Sequence, residues 1–315
     1  MTENKYKKLA SNTLIFTIGN LGSKLIALLM VPLYTYTLTT KDYGDVDLLQ
    51  TTMSLLLPLA TLSISQAVMR FVLRDIKDET EVKKTFTTST LFVLLMSILS
   101  AGIVYLILKI FHAYEGMEVY FLLFLLVQPV SEHFTQFARA IGKVKEFAFN
   151  GILMTIIAAG LNVLLLVNLK MGTSGYLLSF LGAFIASTLY MGAVINLKKH
   201  FSLKFLSKET LKELLKFSTP LIPNGIMWWL INGSTRYFIL LFIGAGANGI
   251  FAVANKIPAI MTMFVNIFSQ AWQISAYEEY TKEERSAFYT KVFQLQAQFL
   301  FLGGSAILVI VKPLL

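Results

Sequence analysis

The sequence predicts an all-α, polytopic membrane protein, and three observations predict it. Of its 315 residues, 56% are hydrophobic and only 14% are charged, where a soluble domain usually has about 25% charged residues. Apolar runs of about 20 residues recur along the chain, each long enough to cross about 30 Å of hydrocarbon as a helix. The period-two alternation of a membrane barrel is missing, which leaves helices as the spanning element.

Nine spans follow: 12–36, 47–69, 86–108, 119–138, 149–169, 175–197, 217–243, 250–274 and 288–311. The first is too long for a cleaved signal peptide, Lys24 interrupts it, and no small-residue cleavage site follows. Thr13, Thr17, Asn20 and Lys24 step 4-3-4 along it, which lays them on one helical face. That face suits the wall of a wet cavity; helix–helix hydrogen bonding is the alternative for the neutral residues. The connection before span two carries Asp42, Asp45 and Asp47, read as a solvated face.

Span four places Gln128, Glu132, Thr135 and Arg139 on one face. Two readings fit Glu132: a coupling-ion or proton site, and a structural ion pair with Arg139 two turns away. Span seven opens on Pro220 and Pro223 and repeats Asn224, Trp228, Asn232 and Arg236 every fourth residue. Span eight carries Lys256 and a polar stripe of Thr262, Asn266, Gln270 and Gln273. Arg236 and Lys256 lie ten residues before and after Gly246 in the turn GAGANG. An antiparallel hairpin would therefore hold them at similar depth, about 15 Å from its end at 1.5 Å per residue. A cation inside a span costs on the order of 3 kcal/mol unless water or a partner receives it. No carboxylate stands in either span. Snorkelling to the interface is one outcome; an anionic ligand with a polar, sugar-like portion is the other.

The net charge of +9 is a topology signal and not a nucleic-acid footprint. Twenty of the 27 Lys and Arg fall in the N-terminal tail and alternate connections, and four fall on the opposite side. That asymmetry puts the N-terminus and the basic loops in the cytoplasm. No cysteine is present and the three histidines are scattered, so neither a disulfide framework nor a metal site is expected. No phosphate-binding loop, nucleophile elbow or zinc-protease motif occurs, and nothing asks for an enzyme or a cofactor. A membrane polymerase would need a sizeable outer loop with catalytic Arg or His, and the outer connections are short.

YGDVDLLQTT at 43–52 and NGIFAVANKI at 248–257 align at an offset of 205, a faint two-fold repeat. Six spans then form one lobe, residues 1–198, and the basic connection from Lys198 leads into a second, 199–315. TPLIPNGIMWWLINGSTRYFI at 219–239, GIFAVANKIPAI at 249–260 and AWQISAYEE at 271–279 resemble the flippases of bacterial polysaccharide export, as does the stretch 12–50. That family shares a superfamily with the multidrug and toxin exporters and the lipid II flippases. The resemblance implies a MATE-like bundle of two lobes. Its members carry more than nine spans, so the second lobe is expected to be incomplete, which leaves a truncated sequence, a defective product or a need for another chain as the alternatives. The resemblance further implies a cell-membrane transporter that flips undecaprenyl-diphosphate-linked oligosaccharides between leaflets by alternating access. Its partners would be that lipid, the membrane and polysaccharide assembly proteins. Lys24, Arg236 and Lys256 are the expected contacts of the anionic headgroup, with Asn20, Trp228, Asn232 and Gln270 toward the sugars. An acidic residue often precedes the arginine in that family; here it is Thr235, which leaves Arg236 with no neighbouring counter-charge.

Overall fold

The computed structural model describes residues 29–112, 114, 116–244, 256–279 and 285–314, with isolated positions elsewhere. Among them every regular element is helical. The chain divides into two compact units, Gly19–Phe251 and a second made of Met1–Ile18 with Ala252–Leu315. The lobes expected at 1–198 and 199–315 are a different partition.

In the larger unit, α1 (Val31–Thr37) starts with Pro32 in its first turn, where a missing N–H costs nothing. Thr39 then opens α2 (Thr40–Ala60) with a capping box: its hydroxyl accepts from the Asp42 N–H at 3.1 Å, and Asp42 accepts from the Thr39 N–H at 3.2 Å. The segment expected as an outer loop is therefore helical, and Asp45 and Asp47 lie inside α2. This corrects the reading of the segment as a connection, while Asp42 and Asp45 remain partly exposed on the helix. Span two is also not one rod. Leu62 and Ser63 take left-handed φ of 49° and 52°, the Ser63 N–H bonds back to the Pro58 carbonyl at 3.1 Å, and α3 (Ile64–Arg74) leaves at 54° to α2.

Asp78 caps α4 (Glu79–Ile110) by accepting from the N–H groups of Thr80 and Glu81. The left-handed Gly116 precedes α5 (Glu118–Ala140), and a Lys109–Glu118 ion pair at 3.1 Å ties the two helices at that end. The next helix, α6 (Val144–Asn162), runs on as a π-helical turn to Asn168. Gly172, at φ 56°, allows the reversal into α7 (Gly172–Val194). A single turn, Leu197–His200, leads to the amphipathic α8 (Lys208–Ser218), capped by Ser207 and laid against α3 and α4. Pro220 then starts α9 (Leu221–Phe242), which docks on α2.

The core between α2, α5 and α7 contains Leu49, Phe121, Leu125 and Leu177, all shut from solvent. One polar node sits in the helical packing. His133 on α5 is fully buried, with ring nitrogens within hydrogen-bond reach of Ser65 on α3 and of Ser89 and Thr90 on α4. In the smaller unit, α10 (Lys256–Glu279) pairs with α11 (Arg285–Leu314) through Trp272, whose ring meets Phe288 and Tyr289.

Among the described residues, α4, α6 with its π turn, and α7 are long and apolar enough to span a membrane alone, and the bent pair α2–α3 passes as one broken span. Of the nine expected spans, the first lies mostly outside the described residues, and the others separate into two kinds. Helices α5, α9 and α10 have 23, 22 and 24 residues, enough to cover ~33 Å or more. Polar residues such as Gln128, Glu132, Asn232 and Arg236 dilute that apolarity.

Candidate functional site

Helix α9 approaches α2 closely because position 233 is glycine. A Cβ there would stand 2.9 Å from Trp229 Nε1 and 3.2 Å from Thr51 Cγ2. With the backbones that near, three tethers close on α2. Trp229 Nε1 donates to the Thr51 carbonyl at 2.8 Å. Arg236 Nη1 donates to Thr51 Oγ1 at 2.8 Å. Tyr237 and Tyr114 both bond the Thr52 hydroxyl, Tyr114 at 2.9 Å.

Arg236 also meets a carboxylate. Its Nε lies 3.4 Å from Asp47 Oδ2, with the two side chains 25% and 21% exposed. Neither atom has an aligned hydrogen bond, so the contact is electrostatic. This corrects the expectation that Arg236 lacks a counter-charge. The partner is supplied by another helix, about 190 positions earlier in the chain, and not by the residue beside it.

A cavity of about 520 Å³ opens beside these tethers. Asp47, Gln50, Thr51 and Ser54 line it from α2, and Trp228, Asn232 and Arg236 from α9. The structure therefore gathers three sequence-predicted site residues on one wall. The paired tryptophans divide their work: Trp229 holds α9 to α2, while Trp228, 58% exposed, offers its ring to the cavity. Asn232 spends its Nδ2 on the Trp228 carbonyl at 2.8 Å, which leaves its carbonyl oxygen as the acceptor. Asn224, the first member of that stripe, is not part of the lining.

The wall from α2 escaped the sequence reading. Residues 47, 50, 51 and 54 share one face once the helix begins at 40, and the T-x-x-D of Thr39 and Asp42 was the signal for that start. The remaining predicted residues are placed elsewhere or lie outside the described residues. Asn20, Lys24 and Gly246 are outside them. Lys256 opens α10, but its side chain is outside them too. Gln270 lies on α10, in the smaller unit.

Glu132 and Arg139 occupy different settings. Arg139 is buried, donates to Gln136 Oε1 at 2.7 Å and lies over the Phe147 ring. Glu132 faces a second cavity of about 320 Å³ among α5, α6 and α7.

The fold has close likenesses among solved structures. A MATE bound to MaL6 superposes with a TM-score of 0.79 at 15% identity, covering 98% of this chain and 73% of that one. A MOP superfamily transporter from Pyrococcus furiosus, described as having a binding pocket of reverse polarity, gives 0.77 at 16% identity over 98% and 73%. An outward-facing multidrug resistance MATE family transporter gives 0.73 at 14% over the same shares. No curated protein matches the chain. Apolar helices in this arrangement define a multi-pass membrane protein with the fold of the MATE transporters. Within that class the chain belongs to the polysaccharide biosynthesis protein family, whose model matches residues 9–273.

Proposed function

We propose that this protein is a transporter, and not an enzyme, that moves undecaprenyl-diphosphate-linked oligosaccharides from the inner to the outer leaflet of the bacterial cytoplasmic membrane. Two lobes, 1–198 and 199–315, would alternate access around a cationic seat. The observation that carries this reading is the cavity beside α9, where a guanidinium, an open indole face and a carboxamide share one wall. A diphosphate takes charge-assisted hydrogen bonds from Arg236. Sugar rings stack on Trp228 and donate hydroxyls to Asn232. Lys24 and Lys256 would add charge to the headgroup, and Asn20 and Gln270 would reach sugars. The polyprenyl tail stays in lipid. The product then passes to polysaccharide assembly proteins.

The test is export of surface polymer in a bacterial strain lacking its own flippase. Rescue should fall about tenfold or more for Arg236→Ala, the loss of one strong charge-assisted contact, and stay intact for Lys41→Ala on the exposed start of α2. Full export by Arg236→Ala would sink the assignment. Asp47 favours a second reading, an exporter of organic cations, because the cavity holds one carboxylate beside its guanidinium. Drug resistance lost on Asp47→Asn with polymer export unchanged would support that reading instead.

A further inference from the structure

We infer that the connection from α7 into α8 docks on the bilayer surface, as a site for anionic phospholipid headgroups. Residues 197–218 carry six lysines against two glutamates. The carboxylates at this end of the larger unit are already engaged. Glu79 pairs with Lys83 and Lys199, Glu81 with Lys84, and Asp75 and Glu213 with Arg74. Glu209 accepts the Ser207 hydroxyl at 3.0 Å. Lys198, Lys204, Lys212 and Lys216 are exposed, and among the described residues none of them has an ion pair.

Two outward leucines distinguish this stretch from a solvated basic loop. Leu203 and Leu206 are 65% and 51% exposed. They bracket a 3-10 turn, Leu203–Phe205, which the Leu206 N–H closes by donating to the Leu203 carbonyl at 3.2 Å. Side chains three apart eclipse in such a turn, so the two leucines share one face. Phe205 between them turns instead to Lys83, whose Nζ stands 5.9 Å from the ring centre. Leucines in the acyl boundary with lysines beside them at the phosphates is the arrangement of an interfacial anchor.

The depth of the turn is fixed by α4. Thr87 and Thr88, both buried, hold the connection by its backbone. The Thr87 hydroxyl donates to the His200 carbonyl at 3.3 Å and accepts from the Ser202 N–H at 3.1 Å, and Thr88 Oγ1 accepts from the Ser207 N–H at 3.1 Å. Lys84 is the last charge on α4 before its apolar run, which starts at Leu91. Thr88 therefore stands about 5 Å outside that run at 1.5 Å per residue, at headgroup level. A soluble acidic partner would satisfy the lysines, but it would not account for leucines held at this depth. Each lysine kept near an anionic leaflet raises affinity for that surface about fivefold.

The inference stands apart from the transport reading, since it needs only α4 in a membrane. The experiment uses the full chain reconstituted into phosphatidylcholine vesicles with and without phosphatidylglycerol. The chain contains no cysteine, so Leu203→Cys carries a single environment-sensitive fluorophore, with Leu206→Cys as a second reporter. The vesicles include a lipid bearing a nitroxide high on its acyl chain. The expected result is blue-shifted emission, quenched by the nitroxide about twofold or more strongly when phosphatidylglycerol is present. The double substitution Lys198→Gln with Lys204→Gln should remove that excess and leave the melting temperature unchanged, because both side chains are exposed. Equal quenching in the two bilayers, or the full excess retained by the double variant, would overturn the proposal. So would quenching by aqueous iodide and not by the lipid nitroxide, which would put the turn in water and open it to a soluble partner instead.

Discussion

Arg236 shows how one side chain can be both structural and functional. It donates to Thr51, faces Asp47 and still borders the cavity. Removing one member of a half-buried pair leaves the other under-solvated, a larger effect than loss of an exposed pair. Asp47→Ala should therefore lower stability by about 1–2 kcal/mol, while Asp45→Ala, two positions earlier on α2, should cost about 0.5 kcal/mol or less. Thermal melting of the detergent-solubilised protein reads both. The double substitution Asp47→Asn with Arg236→Gln should recover part of the loss, because the two effects couple through one contact. Additive losses would mean that the 3.4 Å approach contributes nothing. The sequence showed Arg236 as a charge needing a partner, but periodicity within α9 could not show a carboxylate held on another helix.

At the level of the helix, the α2–α9 contact depends on position 233. Gly233→Ala puts a methyl against the Trp229 indole and Thr51, and the indole cannot yield without breaking its bond to the Thr51 carbonyl. Overpacking of this kind costs about 1–3 kcal/mol. Gly225→Ala makes ordinary contact with Pro58 at 3.6 Å and should be tolerated. A melting temperature lowered by Gly233→Ala but not by Gly225→Ala, with the Trp229 fluorescence shifted to the red, would verify the close approach; equal melting would refute it. His133 works at the same scale. Its bonds to α3 and α4 join three helices, and Phe86 stacks on its ring at 5.8 Å. In the sequence it is one of three scattered histidines, since no local pattern reveals a side chain whose partners lie 43 to 68 positions away.

The molecule as a whole carries its basic residues in alternate connections, which predicts their side of the membrane. With no cysteine in the chain, single introduced cysteines report that side without background. Lys212→Cys on α8 should resist a membrane-impermeant maleimide in intact cells, and Lys170→Cys before α7 should react. The reverse pattern would invert the topology. Helix class, the approximate place of each apolar run and the charge asymmetry were determined by the sequence alone, because bilayer thickness and backbone hydrogen bonding act on local segments. So was the stripe of Trp228, Asn232 and Arg236, which helical period alone aligns. The break between α2 and α3 needed the left-handed turn at Leu62 and Ser63 to be seen. Asp47 opposite Arg236 and the node at His133 were decided by tertiary structure. Each depends on side chains from different helices meeting in space, where desolvation makes pairing necessary and sequence separation hides the partner.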